Sequence, residues 1–254
     1  NFKPDGFKGH IKFDNVHFSY DNISPVFKGL SFNVNPGETV AIVGPTGAGK
    51  TSLINLISRY YEFQKGKITI DDFDIRDIDI NILRSKIAVV LQDVFLFNTT
   101  ILENITIGDL KISRKEVIQA AKKVGVHEFI NQLPGGYDFE VKERGGLLSS
   151  GQRQIIAFLR AYVYQPQLLI LDEATSSIDS LSEEFIKNAT EEITKSRTSI
   201  IIAHRLSTIQ NADSILVMDN GVIVEKGKHI ELLKNKGHYY ELYQNQFISK
   251  SHSN

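Results

Sequence analysis

The chain has 254 residues, 41% of them hydrophobic and 23% charged, which is the composition of a globular protein that buries a sizeable core. Its net charge of −1 argues against binding of nucleic acid through bulk electrostatic attraction. The absence of cysteine excludes disulfides, thiol catalysis and cysteine-bound metals. Apolar runs such as residues 168–171 and 200–203 are too short to cross a bilayer. The chain shows no signal peptide and begins at Asn1, so we expect a processed chain or, preferably, an excised fragment.

The N-terminal part predicts a small antiparallel sheet that follows a short linker. Residues up to about Gly9 are polar and predict the linker. Residues 11–18 predict a strand with both faces partly buried. Residues 26–34 predict a second extended stretch, because the turn sequence Asn35-Pro36-Gly37 follows them.

Residues 44–51 read GPTGAGKT, which fits the pattern G-x-x-x-x-G-K-T between a strand-like and a helix-like segment. The glycines allow backbone N–H groups to approach phosphate oxygens, and the N-terminus of the following helix favours the same anion. We expect Lys50 to reach the β- and γ-phosphates and the Thr51 hydroxyl to bind Mg²⁺. The alternative is a tight strand-to-helix turn with no ligand. The candidate nucleotide-binding residues here are Gly44, Pro45, Thr46, Gly47, Ala48, Gly49, Lys50, Thr51 and Ser52.

The rest of the chain alternates buried strands and helices around a helical stretch. Residues 67–70, 87–91, 168–171 and 199–203 predict strands, and Asn220-Gly221 predicts a type I′ hairpin. Apolar residues spaced in threes and fours across residues 99–164 predict a helical subdomain. Further helices are predicted at residues 153–164, 181–193, 229–233 and 238–247.

These elements predict an α/β fold with a P-loop NTPase core. Buried apolar strands that alternate with helices form a mostly parallel sheet covered on both faces. The core takes residues 10–98 and 165–254 and includes the N-terminal antiparallel β subdomain, and residues 99–164 form the inserted α-helical subdomain.

The strand at residues 168–171 runs into two carboxylates, Asp172 and Glu173. The carboxyl ends of strands are where α/β sheets bind their ligands. We expect Asp172 to hold Mg²⁺, directly or through water, and Glu173 to polarise an attacking water. The alternative is a loop with two solvated acids, and the phosphate loop upstream favours the catalytic interpretation.

Residues 148–152 read LSSGQ and precede a helix-forming run. A Ser-Ser-Gly stretch that opens a helix can bind an anion, but on the residues alone a simple N-cap is the favoured interpretation. The candidates for the anion role are Ser149, Ser150, Gly151 and Gln152.

GPTGAGKT, LSSGQ and LLILDE, in this order, resemble the motif set of the ATP-binding cassette (ABC) family, and the resemblance covers about residues 11–247. It implies ATP and Mg²⁺ as ligands and hydrolysis of the ATP. It also implies a second nucleotide-binding domain. LSSGQ resembles the signature motif of this family, and that motif contacts the γ-phosphate bound on another copy. The expected assembly is a head-to-tail homo- or heterodimer around two ATP molecules.

The resemblance assigns roles to four further residues. Tyr20 matches an aromatic residue that stacks on adenine, although alone it would be an ordinary strand-end tyrosine. Gln92 matches a glutamine that senses Mg²⁺ and the transport partner. Asp179 lies in a loop that reaches across the dimer, and His204 matches a histidine that holds the γ-phosphate and the water. A histidine after a buried strand is otherwise usually structural.

Other segments resemble exporters of this family. They include residues 95–105, 141–145 and 203–208. The resemblance implies that a membrane domain contacts the segment from Gln92 to Thr100 and the segment Glu143–Gly145, at the cytoplasmic face of the cell membrane. That domain is expected upstream on the same chain or on another chain.

The family pattern is not matched everywhere. Ser150 stands where a second glycine is usual, and Ser177-Ile178 replaces the commoner Ala-Leu. We consider two alternatives from other classes. One is a non-transport ABC protein that acts on nucleic acid or the ribosome, although no heptad run and no second cassette is present. The other is a regulatory cassette that binds ATP without hydrolysing it, which the intact Glu173 and His204 disfavour.

Overall fold

The computed structural model describes residues 7–173, 180–195 and 197–245. The chain divides into two compact units. The first unit holds the described parts of residues 1–87, 167–173 and 197–254, and the second holds those of residues 88–166 and 174–196. The predicted loop at residues 176–179, with Asp179, and the end of the helix predicted at residues 238–247 lie outside the described residues.

The strands and helices follow the predicted alternation. The strands are β1 Ile11–Ser19, β2 Pro25–Val34, β3 Thr39–Val43, β4 Lys65–Ile70, β5 Phe73–Asp74, β6 Ile87–Val90, β7 Leu168–Asp172, β8 Thr198–Ile202, β9 Ser214–Asp219 and β10 Val222–Gly227. The helices are α1 Lys50–Ile57, α2 Ile80–Ser85, α3 Ile101–Thr106, α4 Arg114–Val124, α5 His127–Asn131, α6 Ser150–Val163, α7 Ser180–Thr194, α8 Leu206–Asn211, α9 His229–Asn235 and α10 His238–Tyr243, with 3-10 turns at Gly136–Asp138 and Glu143–Gly145. Among these described helices, none combines the length and the hydrophobicity needed to span a lipid bilayer.

The main sheet of the first unit is mostly parallel, as predicted. Its strands lie in the order β10, β9, β3, β8, β7, and β10 is antiparallel to its neighbour while the others are parallel. Its central strands are mostly apolar, and Ile200, Ile201 and Ile202 of β8 are all buried, which is typical of strands covered on both faces. The β9–β10 hairpin turns at Asn220 and Gly221, whose φ angles of 45° and 79° fit the predicted type I′ turn.

The second sheet of this unit is the predicted N-terminal antiparallel one, in the order β2, β1, β4, β5. The prediction of two partly buried faces on β1 is wrong. Phe13 is buried, Asn15 is exposed with φ of 48°, and the pairing with β2 shifts between Phe13 and Val16. This bulge inserts an extra residue, so the buried positions change from odd to even numbers and Phe18 is buried too.

The second unit is built on helices, and α3, α4 and α7 pack against α6 or against one another. Helix α6 supplies much of the core through Ile155, Ile156, Phe158 and Leu159, all buried. The helix predicted at residues 153–164 begins earlier than expected, at Ser150. The Ser-Ser-Gly stretch therefore forms the N-cap and the first turn of α6, as the N-cap interpretation expects.

Candidate functional site

Two glycines of the loop between β3 and α1 lie so close to neighbouring residues that a side chain would clash. A Cβ on Gly44 would lie 2.0 Å from the carbonyl oxygen of Met218. Gly49 is the N-cap of α1 with φ of 103°, and its Cβ would lie 2.7 Å from Cε1 of Phe27. Only glycine fits both positions without strain. The loop therefore carries the first backbone N–H groups of the eight-residue helix α1 at its end, which is the geometry of an anion cradle.

Lys50 is the first residue of α1, and its side chain folds back over this loop. Nζ donates hydrogen bonds to the carbonyl oxygens of Gly44 (2.7 Å) and Pro45 (2.8 Å). An ammonium has three donors, so one remains for a phosphate oxygen. Burial lowers the pKa of Lys50, and the negative charge of Asp172 opposes this shift. Thr51, next along α1, is exposed, so its hydroxyl is accessible to a ligand.

The two acids at the end of β7 have different surroundings. Asp172 is half-buried, whereas Glu173 is only 3% exposed. The alternative of two solvated acids is therefore wrong for Glu173. The Oε2 atom of Glu173 accepts hydrogen bonds from the backbone N–H groups of His204 (3.1 Å) and Arg205 (3.2 Å), and Oε1 accepts one from the hydroxyl of Thr208 (2.5 Å).

Burial raises the pKa of Glu173, and the hydrogen bonds from Thr208 and the two amides partly offset this effect. A carboxylate with a raised pKa is a stronger proton acceptor than a solvated one, which suits a general base. His204 follows β8, the strand beside β7, and its backbone N–H reaches the Glu173 carboxylate. The structure thus brings the acidic strand end and the predicted histidine together.

Tyr20 lies beside α1 with its side chain 48% exposed. Its hydroxyl donates to Oγ of Ser52 (3.0 Å) and accepts from Nδ2 of Asn55 (3.0 Å). Its ring meets Phe18 and Tyr61 edge to face, with centroid distances of 4.7 and 4.8 Å. The two hydrogen bonds tie Tyr20 to α1, and nearly half of its surface remains exposed.

Gln92 and the residues Ser149 to Gln152 belong to the second unit. Gln92 is exposed. Ser149 is the N-cap of α6 and makes two hydrogen bonds with Gln152. Oγ of Ser149 accepts from the backbone N–H of Gln152 (3.2 Å), and the backbone N–H of Ser149 donates to the side-chain oxygen of Gln152 (2.9 Å). The N-cap interpretation is confirmed. Ser150 is exposed in the first turn, so its hydroxyl is accessible.

One segment predicted to meet a membrane domain, from Gln92 to Thr100, is held by Asn104 of α3, which is bonded in turn to α6. Asn104 is fully buried; its Oδ1 accepts from the Phe97 N–H (2.8 Å), and its Nδ2 donates to the carbonyl oxygens of Phe97 and Thr100 (3.0 Å each). Arg160 of α6 donates to the Asn104 carbonyl oxygen (2.8 Å). Phe97 and its neighbour Phe95, which is 55% exposed, lie edge to face with centroids 5.2 Å apart.

Sequence reasoning assigned no individual role to Thr208, Asn55 or Asn104. Thr208 and Asn104 lie in the exporter-like runs at residues 203–208 and 95–105, but these runs do not show which of their residues contact the site. Asn55 has only a signal of position, because it lies on the helix that follows the phosphate loop. Such a signal is too common to single out a residue.

The family model described as "ABC transporter" matches residues 27–176, more than half of the chain. A "Fatty acid ABC transporter ATP-binding/permease protein" of Mycobacterium bovis is 50% identical over 92% of this chain and 37% of its own length. An "ATP-dependent lipid A-core flippase" of Saccharophagus degradans is 48% identical over 94% of this chain and 41% of its own length.

Among solved structures, a bacterial Atm1-family ABC exporter with ATP bound superposes with a TM-score of 0.87 and 43% identity, over 94% of this chain and 42% of that chain. This chain thus spans about two fifths of the length of these relatives. The agreement extends over the fold, the motifs and nearly all of the sequence. The chain belongs to the ABC transporter family, as an ATP-binding domain of the exporter type.

Proposed function

We propose that this chain binds Mg·ATP, dimerises head to tail around two ATP molecules and hydrolyses them to power an exporter. The observation that carries the proposal lies in the first unit. The phosphate loop with Lys50 and the buried Glu173 stand at the carboxyl ends of β3 and β7, which are parallel strands of one sheet. Ligands of α/β sheets bind at that edge.

The reaction is the attack of a water oxygen on the γ-phosphorus. As that bond forms, Glu173 accepts a proton from the water, and the bond between the γ-phosphorus and its bridging oxygen breaks. ADP leaves with the electron pair of that bond. Lys50 and the loop amides stabilise charge on the phosphates, and His204 steadies the γ-phosphate and the water. Tyr20 stacks on the adenine.

The residues of the first unit suit Mg²⁺, a hard cation that prefers oxygen ligands. Thr51 offers an exposed hydroxyl in the first turn of α1, and Asp172 offers a half-buried carboxylate whose charge is felt by Lys50. These two would hold the ion, with Gln92 as a further oxygen ligand. When bound, Mg²⁺ neutralises charge on the β- and γ-phosphates.

In the proposed dimer, the signature residues of one copy serve the ATP of the other. Helix α6 has 14 residues and begins at Ser150, so its N–H groups and the Ser150 hydroxyl can donate to a phosphate of the partner copy. Gly151 permits a close approach of the backbone to the partner's phosphate, and Asp179 belongs to the loop that reaches across the dimer. The side chains of Ser149 and Gln152 cap α6 and hold this tip in shape.

The partner that uses the energy is a transmembrane domain on the same chain or another. The names and the greater lengths of the relatives support this, because the Mycobacterium bovis relative is an ATP-binding/permease protein of which this chain covers 37%. We place this chain at the cytoplasmic face of the cell membrane, where the segment from Gln92 to Thr100 and Glu143–Gly145 contact the transmembrane domain. The exposed rings of Phe95 and Phe97 fit such an interface.

The substitution Glu173→Gln tests the proposal. It should retain ATP binding and favour a stable nucleotide-bound dimer, while steady-state phosphate release falls by at least about 100-fold because the proton acceptor is lost. Binding is measured by equilibrium titration, and dimerisation by light scattering with Mg·ATP. Glu128→Gln, on the exposed side of α5, is the matched control and should keep full activity.

Full hydrolysis by the Glu173→Gln variant would remove Glu173 from the role of base. Failure of the unaltered chain to bind ATP would contradict the proposal as a whole. ATP binding with no phosphate release at any protein concentration would instead favour the non-hydrolysing regulatory alternative.

A further inference from the structure

We propose that Thr208 is a positioning residue for the general base: its hydroxyl holds the Glu173 carboxylate so that one lone pair faces the attacking water. This inference rests on the proposed hydrolysis. The carrying observation is the hydrogen bond from the Thr208 hydroxyl to Oε1 of Glu173, at 2.5 Å. The two residues are 35 positions apart in the chain, so the contact depends on the fold.

The number of lone pairs on the Glu173 carboxylate explains why the hydrogen bond from Thr208 matters. An ionised carboxylate has two oxygens with about four lone-pair positions. Oε2 of Glu173 accepts from two backbone N–H groups, those of His204 and Arg205, and Oε1 accepts from Thr208. These three donors leave one lone pair, and it lies on the oxygen that Thr208 contacts. The Thr208 hydroxyl therefore sets the direction of the lone pair that remains for a water.

The carboxylate is held between two neighbouring strand ends. The backbone N–H of Glu173 donates to the Ile202 carbonyl oxygen of β8 (3.1 Å), which fixes the main chain beside the residues that follow β8. His204 and Arg205 then hold one oxygen through the backbone, where a side-chain substitution leaves the donors in place. Thr208, in the first turn of α8, holds the other oxygen through its side chain. This donor can be removed by substitution without changing the backbone.

Removal of the hydroxyl should affect the reaction and not the binding of ATP. Valine has nearly the shape of threonine but donates no hydrogen bond, so Thr208→Val frees Oε1 to rotate and to bond elsewhere. Thr208 has no assigned contact with nucleotide, so the affinity for ATP should stay the same. A residue that served only to stabilise α8 would lower the unfolding midpoint and would show no selective effect on turnover.

The experiment compares Thr208→Val, Thr208→Ser and Thr208→Ala with the unaltered chain. The adjacent Ser207→Ala is the matched control, because Ser207 is an exposed hydroxyl on the same helix turn. Phosphate release is measured against ATP concentration, together with equilibrium ATP binding and the thermal unfolding midpoint. We expect Thr208→Val and Thr208→Ala to lower kcat by about 10- to 100-fold with KM unchanged, the range for loss of a hydrogen bond to a charged group. Thr208→Ser should recover most of kcat, and Ser207→Ala should equal the unaltered chain.

Unaltered kcat in a folded Thr208→Val or Thr208→Ala chain would overturn the inference while the proposed function stands. So would a Thr208→Ser variant as slow as Thr208→Val, because the hydroxyl would then be irrelevant. If all three variants lose activity together with nucleotide binding or with the folded structure, the role of Thr208 is structural and the inference is wrong. An unaltered chain that hydrolyses no ATP removes the proposed function itself and this inference with it.

Discussion

At the scale of single residues, Gly49 shows how the absence of a side chain shapes the phosphate loop. Its φ of 103° lies in the left-handed region that side chains rarely adopt, and a Cβ would press on the ring of Phe27. Two independent costs therefore meet at one position. Gly47, in the same loop, has φ of 84° but no neighbouring atom within 4 Å of its Cβ, so it carries one of the two costs.

We predict that Gly49→Ala destabilises the chain by about 2–5 kcal/mol, the sum of left-handed backbone strain and overpacking. Gly47→Ala should cost only about 1–2 kcal/mol, because it adds strain without a clash. The free energies of unfolding from urea titrations measure both. Equal losses of unfolding free energy in the two variants would contradict this prediction, because the contact with Phe27 would then add no destabilisation.

The residues that the sequence could identify are those whose spacing along the chain carries the chemistry. GPTGAGKT and the strand that ends in Asp172-Glu173 predicted a phosphate loop and acids, and the loop geometry and the burial of Glu173 fit that prediction. The environment of Glu173 could not be predicted in the same way. Its partners follow a different strand, so their approach depends on the parallel pairing of β7 with β8.

At the scale of elements, hydrophobic periodicity predicted most strands and helices but missed local backbone changes. The bulge at Asn15 changes which residues of β1 are buried, and a strict two-residue period cannot show it. Helix α6 begins at Ser150 because Ser149 and Gln152 form a capping box, which converts a glycine- and serine-rich stretch into a helix start. The bulge changes one backbone position and the cap depends on two side chains, so neither difference shows in the hydrophobic pattern.

The Asn104 contacts give a prediction at this scale. In the intact chain, the Phe97 amide donates to the buried Asn104 side chain and should exchange slowly with solvent hydrogen. Asn104→Ala removes that acceptor and the two bonds that Nδ2 donates to the carbonyl oxygens of Phe97 and Thr100. The Phe97 amide should therefore exchange faster by about tenfold, because each lost bond is worth on the order of 1 kcal/mol. Hydrogen exchange resolved to single amides measures it.

The control for this prediction is Asn98→Ala, at an exposed position in the same segment. It should leave the exchange rates of residues 97–100 near those of the unaltered chain. Unchanged protection in Asn104→Ala would show that other contacts hold the segment, and Asn104 would lose its place as the anchor between residues 97–100 and α6.

At the scale of the whole molecule, the proposed ATP site requires two copies of the chain. The phosphate loop and the acids belong to the first unit, whereas Ser150 begins a helix of the second unit, and the proposal pairs each loop with the signature of the partner copy. A single sequence could predict this only through the family resemblance, because an N-cap and an anion site use the same residues. The assembly is therefore the claim that most needs direct measurement.

That measurement mixes two inactive variants, Lys50→Ala and Ser150→Glu. The glutamate places a negative charge at the first turn of α6, which suits the helix but repels a phosphate of the partner copy. In a mixed dimer, the intact loop of one variant meets the intact signature of the other, so one of the two sites is complete. We predict that each variant alone is inactive and that an equimolar mixture recovers up to about a quarter of the normal phosphate release, since half of the dimers are mixed. A mixture no more active than its separate components would contradict the shared site.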